Sequence, residues 1–184
     1  MPTSLLPLVT ERLTLRDYRL DDAPAVHRYM SDPEVTRYVS WHSHSLDQAR
    51  ENVAKKLEEA AREPRETYSL AMVRRSDGLL FGTCLLMSRN AEMTGLEVGY
   101  ALAREAWGQG FASEAVRAML DFGFGPLGAH RIFAFVSPEN PPSGRVLEKL
   151  GFRLEGRLKK HLLKEGEWYD SVLYALLEEE WKPV

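Results

Sequence analysis

The sequence predicts an α/β (α+β) chain, a β-sheet with helices on its faces, and three observations carry that class. Segments of strand periodicity alternate with segments of helical periodicity. One strand-like stretch runs through a glycine-rich loop straight into an amphipathic stretch, "LEVGYALAREAWGQGFASEAVRAML". The chain then closes on two long strand-like runs around Glu165–Gly166. Strand–helix–strand order of this kind packs as layers of helix on sheet. The 184 residues contain no repeat or linker, so residues 1–184 are expected to form a single domain.

Taken in order, "ERLTLRDY" alternates Leu13 and Leu15 with polar residues and predicts a strand. "LDDAPAVHRYMSD" predicts a helix, with Asp21 or Asp22 as cap, Pro24 in the first turn, and Val26, Tyr29 and Met30 on one face. "SLDQARENVAKKLEEAAR" predicts a second helix. Ser45 and Gln48 form its capping box, and Leu46, Ala49, Val53 and Leu57 fall in register. "TYSLAMVRRSDGLLFGTCLLMS" reads as a hairpin around Asp77–Gly78. "GLEVGYALA" adds a strand, with Leu96, Val98, Tyr100 and Leu102 on one face and Glu97 on the other. The helix that opens at Phe111 is expected to stop at "GFGPLG", and "HRIFAFVSP" is the next strand. "NPPSGRVLEKLG" predicts a short helix capped by Asn140 and closed by Gly151, ahead of a final hairpin.

Composition narrows the function. Lys and Arg number 24 against 27 Asp and Glu, a net charge of −3, so nothing resembles the basic footprint of a nucleic-acid binder. The single cysteine, Cys84, rules out an internal disulfide and fits a reducing compartment; in its apolar strand it reads as core, not nucleophile. "MPTSLLPLVT" has no basic residue ahead of its apolar ones and is broken by prolines, unlike a secretory signal. "LLFGTCLLM" is too short to span a bilayer. The expected location is cytoplasmic, with no membrane partner. His42 and His44 lack a carboxylate or cysteine cluster, so no metal is expected.

Gly108 and Gly110 ask for a reason, because glycine costs roughly 0.5–1 kcal/mol against alanine in a helix. A plain turn is one. A phosphate cradle is the other: bare first-turn N–H groups and the helix dipole attract anions, and absent Cβ atoms let them approach. The loop is neither a P-loop nor a dinucleotide fingerprint.

Downstream, "PENPPSGRVLEKLGF" spaces Asn140 and Ser143 as Asn-x-x-Ser. Together with "WGQGFA", these segments resemble the GNAT superfamily of acyl-CoA-dependent N-acetyltransferases. That family's pyrophosphate loop has Gln or Arg, two residues, Gly, one residue, then Gly or Ala. Gly110 and Ala112 match its small positions, and Trp107 departs from the first. "ERLTLR", "DDAPAVHRYMSDPEVTRYVSW" and "GEWYDSVLYALL" are similar to the branch that acetylates ribosomal-protein N-terminal alanines, so the likeness spans nearly the whole chain.

The resemblance implies a GNAT fold, a mixed V-split sheet of about seven strands flanked by about four helices, with acetyl-CoA between two diverging strands. Tyr100, Ala101 and Leu102 would meet the pantetheine and acetyl carbonyl through their backbone. Gly108, Gln109, Gly110, Phe111 and Ala112 would hold the pyrophosphate by main-chain N–H groups. Asn140 would bond the pantetheine. Ser143 would sit near the thioester sulfur and give the leaving thiolate a hydrogen bond or proton. Glu97 matches the strand carboxylate that some members use as base. In parts of the ribosomal-protein branch the carboxylate lies further on, where this chain has Leu162 beside His161. Trp41, between the first two helices, either lines the acceptor pocket or simply packs.

The expected activity is transfer of acetyl from acetyl-CoA to a primary amine, with a protein or peptide N-terminus as acceptor, by a monomer or homodimer. An α-amine, with a pKa of about 7.7–8.0, needs less help from a base than a lysine near 10.4. The rivals are a small-amine acetyltransferase and a catalytically silent acyl-CoA-binding module.

Overall fold

A computed structural model describes residues 5–39, 45–88 and 95–183. Its strands form one sheet in the order β1-β2-β3-β4-β5-β6-β8-β7. They are β1 (Leu8–Val9), β2 (Leu13–Arg16), β3 (Thr67–Arg74), β4 (Leu80–Ser88), β5 (Gly95–Leu102), β6 (Arg131–Val136), β7 (Arg153–Lys164) and β8 (Glu167–Leu177). The helices are α1 (Ala23–Met30), α2 (Pro33–Thr36), α3 (Leu46–Ala60), α4 (Phe111–Phe124) and α5 (Pro141–Lys149). All neighbouring strands are antiparallel except β5 and β6, which run parallel because α4 carries the chain across between them.

The mixed sheet matches the expected class, with one strand and one helix more among the described residues than the sequence suggested. β1 has two residues, paired as Leu8 with Leu15 and Val9 with Thr14, and two residues carry no readable alternation. α2 is a single turn. The helix expected through Asp32 stops at Met30, and Asp32 then caps α2 by accepting from the Glu34 N–H at 3.0 Å, with Pro33 at the first position. α4 runs through Gly123 to Phe124 and ends inside the expected "GFGPLG", at Gly125. Gly123 is a packing residue there: a Cβ would lie 2.6 Å from Ile132 Cδ1.

Local rules hold elsewhere. Ser45 and Gln48 cap α3 reciprocally, at 3.1 and 3.2 Å. Gly151, at φ +93°, closes α5 while Phe152 N–H reaches back to Leu147 O at 3.1 Å, a Schellman ending. Glu165 and Gly166 both take positive φ, as a tight β7–β8 turn requires.

Strand alternation assigns the helices to two faces. Lys56 of α3 donates to Ser69 Oγ of β3 at 2.6 Å, and Ser69 pairs with Leu85, so α3 covers the odd-numbered side chains of β4. α4 covers the opposite face, where a Cβ on Gly123 would come within 3.1 Å of Leu86 Cδ1. α5 lies on that second face too, pressed against Tyr174 of β8. The core fills both interfaces, with Leu70, Leu86, Met119, Leu120 and Ile132 among its fully buried members.

Candidate active site

The sheet opens where its one parallel pair parts. Among the described residues, β5 and β6 share a register only at Gly95–Arg131, Leu96–Ile132 and Glu97–Phe133, and no other residue of β5 is paired on that side. Ala103 N–H donates to Phe81 O at 2.7 Å, which fixes the alternation along β5. Odd-numbered residues turn their N–H and C=O groups to β4, and even-numbered ones turn theirs to the gap. Tyr100 and Leu102 therefore present backbone groups to the gap. Ala101 does not: its polar groups belong to the β4 ladder, and its carbonyl lies where a Cβ on Gly82 would meet it at 2.7 Å. The Leu102 carbonyl already accepts from Trp107 Nε1 at 2.9 Å, which ties the loop to the end of the strand. That bond gives Trp107 a role despite its departure from the family pattern.

The loop glycines have separate geometric reasons to be glycine. Gly108 and Gly110 sit at φ +72° and +81°, left-handed values that L side chains rarely adopt. Gly110 is also the cap residue of α4 and contributes no side-chain oxygen there. Gln109 is held from both ends, its Nε2 donating to Glu105 O at 2.6 Å and its carbonyl accepting from Arg12 Nη1 at 3.0 Å. Phe111 is buried against Phe81, at 5.0 Å between ring centres, and anchors the first turn; Ala112 packs on the same core.

Arg12 is a residue that sequence reasoning missed. Its guanidinium lies 4.5 Å from the Phe111 ring centre, and its Nε meets Glu114 Oε2 at 2.6 Å. Glu114 also accepts from Thr10 Oγ1 and Arg12 N–H. Partial burial works against the Glu114 charge, but these bonds outweigh it and hold the carboxyl below its usual range. A strand leading "ERLTLR" with an arginine was visible, but its partners lie about a hundred residues away and no local pattern names them.

On the α4 face of the gap, α5 brings Ser143 to β5. Pro141 and Pro142 occupy the first two positions of α5, where no backbone N–H is needed, and the Asn140 Oδ1 accepts from Ser143 N–H at 3.4 Å. The Tyr100 hydroxyl lies 2.8 Å from Ser143 Oγ and donates to Ser143 O at 3.0 Å. Burial pushes the Tyr100 phenol well above its ordinary pKa, so it stays protonated. This side-chain link was missed, although the placement of Tyr100 on the apolar face of β5 was readable.

The opposite face of the gap carries different chemistry. Glu97 and Phe133 are register partners and so share a face, the one covered by α3. Phe133 packs edge-on to Phe135 at 5.6 Å, and the His161 ring lies 4.4 Å from Phe135. His161 Nδ1 is 3.1 Å from Ser171 Oγ, and Ser171 is buried. Lys164, further along β7, donates to the Thr36 and Arg37 carbonyls at 2.8 and 3.0 Å, which docks this hairpin on α2. Leu162 pairs with Tyr169 on the same hairpin. Ser143, near Asn140 at the start of α5, thus meets Tyr100, and the loop meets Leu102, while Glu97 lies on the other face of the sheet; Trp41 lies outside the described residues.

A sheet parted at a parallel pair, with a glycine loop and two helix starts at the parting, is the architecture that the resemblance to the acyl-CoA-dependent N-acetyltransferases implies. The model of the acetyltransferase (GNAT) domain family matches residues 12–153, and the chain belongs to that family. The N-acetyltransferase p20 of Bacillus licheniformis, itself uncharacterized, is 38% identical over 175 residues, covering 95% of this chain and 97% of its own. The ribosomal protein uS5 alanine N-acetyltransferase of Escherichia coli (strain K12) is 38% identical over 86 residues, 47% of this chain and 44% of that enzyme. Mycobacterium smegmatis RimJ, solved in complex with CoA-disulfide, has a TM-score of 0.80 and 29% identity, covering 91% of this chain and 83% of that one. The chain is an N-acetyltransferase of a fold that uses acetyl-CoA.

Proposed function

We propose that residues 1–184 act as one unit that transfers acetyl from acetyl-CoA to the N-terminal amine of a protein or peptide. The observation that carries this reading is the two-sided gap between β5 and β6. One face offers hydroxyls, Ser143 and Tyr100; the other offers a carboxylate, Glu97, and the aromatic pair Phe133 and Phe135 with His161.

The main-chain N–H groups from Gly108 to Ala112 hold the pyrophosphate at the start of α4, and Asn140 donates through its Nδ2 to the pantetheine. The edge of β5 at Tyr100 and Leu102 orients the acetyl group, where an N–H stabilises charge that builds on the carbonyl oxygen. The amine nitrogen forms its bond to the acetyl carbon as the carbon–sulfur bond breaks. Glu97 takes the amine proton through water, and Ser143 donates to the departing sulfur. Alignment of the two reactants supplies the larger share of the rate, up to about 7–11 kcal/mol in favourable cases.

Two facts favour an α-amine over a lysine or polyamine. An α-amine is partly neutral at pH 7, and this chain has Leu162 where part of the ribosomal-protein branch places a carboxylate. The similarity to an enzyme that acts on a ribosomal-protein alanine points the same way. The test is a thiol-release assay on one peptide in two forms, its N-terminus free or blocked, with one lysine retained in both. Turnover of the free form alone is expected. Preference for the blocked form, or turnover only with spermidine-like amines, overturns the assignment.

A further inference from the structure

Two tyrosines from strands on either side of the gap reach adjacent residues of α5. Tyr174 of β8 is so close to Gly144 that a Cβ there would lie 2.9 Å from its hydroxyl, and it donates to Glu148 Oε1 at 3.0 Å. Tyr100 of β5 reaches Ser143. The first pins the helix to the sheet. The second does something more specific, because a phenol has one proton and two acceptors are within its reach, Ser143 Oγ at 2.8 Å and Ser143 O at 3.0 Å.

Only two arrangements satisfy that geometry. If Tyr100 donates to the Ser143 carbonyl, the Ser143 hydroxyl donates to Tyr100 and its proton faces β5. If Tyr100 donates to Ser143 Oγ, the serine proton is released and can turn to the cleft. Passing from one to the other takes two hydroxyl rotations and moves no heavy atom.

The geometry points to Tyr100 as a positioning residue for Ser143, one that fixes the serine rotamer and lets its hydroxyl donate to the leaving sulfur. This rests on the reading of Ser143 given above. The step balances simply. As the amine nitrogen bonds to the acetyl carbon, the carbon–sulfur bond breaks and the electron pair goes to sulfur. The serine hydroxyl keeps its proton and donates a hydrogen bond to the thiolate, while Tyr100 donates to the serine oxygen. The amine proton goes to Glu97 through water. The Tyr100 hydroxyl meets Ser143 and no reacting atom, whatever the backbone of the same residue does. Burial keeps its phenol protonated across the working range, so it stays a donor.

The test uses the full chain, acetyl-CoA and the free-N-terminus peptide, with Tyr100→Phe, Ser143→Ala and the double variant. Tyr100→Phe should lower kcat about tenfold with acetyl-CoA KM within about twofold, the pattern of an interaction made mainly in the transition state. Added to Ser143→Ala, it should cost nothing further, because the two act as one unit. An acetyl thioester of a more acidic thiol needs less help in leaving, so both single-variant losses should shrink together with it. Unchanged thermal unfolding and CoA affinity show that each variant is folded. The inference fails if Tyr100→Phe keeps parental kcat while Ser143→Ala is slow, or if Tyr100→Phe costs the same factor in both backgrounds. Parental kcat in Ser143→Ala overturns the serine reading itself, and this inference with it.

Discussion

Gly110 can be tested without confusing strain with ligand binding, because the chain has a matched control. Gly110 sits at φ +81° before α4, and Gly128 at φ +62° just beyond its other end. A 14-residue helix separates them by ~21 Å. Asparagine tolerates left-handed backbone better than most residues, so Gly110→Asn and Gly128→Asn should each cost at most about 1–2 kcal/mol. A Cβ at Gly110 would meet only Arg12 Nη2, at 3.4 Å, and one at Gly128 nothing within 4 Å. Each variant should therefore lose about 2–4 °C of Tm per kcal/mol. Their CoA affinities should differ. If the Gly110 backbone meets the pyrophosphate, a side chain there costs a charge-assisted hydrogen bond of about 1.5–3 kcal/mol, or roughly 10- to 150-fold in Kd. Calorimetric titration with CoA reads this directly, with differential scanning to show equal folding. Parental CoA affinity in Gly110→Asn, or an equal loss in Gly128→Asn, refutes the phosphate cradle.

Glu97→Gln should move the acid limb of the kcat/KM profile to higher pH, since only amine that is already neutral then reacts; an unmoved profile passes the role to His161, held by Ser171. Gly144→Ala gains about 1 kcal/mol of helix propensity but forces overpacking against Tyr174 of about 1–3 kcal/mol. Lowered Tm and lowered kcat are expected together, because Ser143 is next in the chain, while Gly156→Ala, with nothing within 4 Å of its Cβ, should change neither; parental values in Gly144→Ala remove the close-approach argument. Burial pushes the Lys56 amine down to about 8. The unfolded chain then binds the extra proton between about pH 8 and 10.4, so this residue's penalty is full below pH 8 and fades as pH rises. Lys56→Met should raise Tm relative to the parent most at pH 7 and least near pH 10; a difference independent of pH sinks this reading.

Much of the fold was legible because it rests on local rules. The Ser45–Gln48 box, the Asp77–Gly78 and Glu165–Gly166 turns and the Gly151 ending are all written within a few residues of where they act. The stop of α4 inside "GFGPLG" was legible, whereas the reason Gly123 is glycine, Ile132, lies on the next strand. The cleft follows the same division. Its main-chain loop was readable from Gly108 and Gly110, whereas the side-chain links, Arg12 to Glu114 and Tyr100 to Ser143, join residues far apart in the chain. The alternation that placed Glu97 opposite Tyr100 was readable too; that Ala101 gives its polar groups to β4 needed the register of the neighbouring strand.

Topology explains why these parts converge. β5 and β6 are the one parallel pair, so both end at the same edge of the sheet, and each is followed by a helix that begins there, α4 at Phe111 and α5 at Pro141. In open α/β sheets, the carboxyl ends of strands at a change of strand order form the natural crevice. Here that crevice receives the positive ends of two helix dipoles. Under the proposed mechanism they serve two different anions: α4 faces a pyrophosphate that stays charged throughout, and α5 faces a thiolate whose charge appears only as the bond breaks. A binding contact is needed at the first and a transition-state contact at the second. That division accounts for the bare backbone at Gly110, where close approach matters most, and for the hydroxyl pair at Ser143 and Tyr100, where a proton must be available at one moment of the reaction.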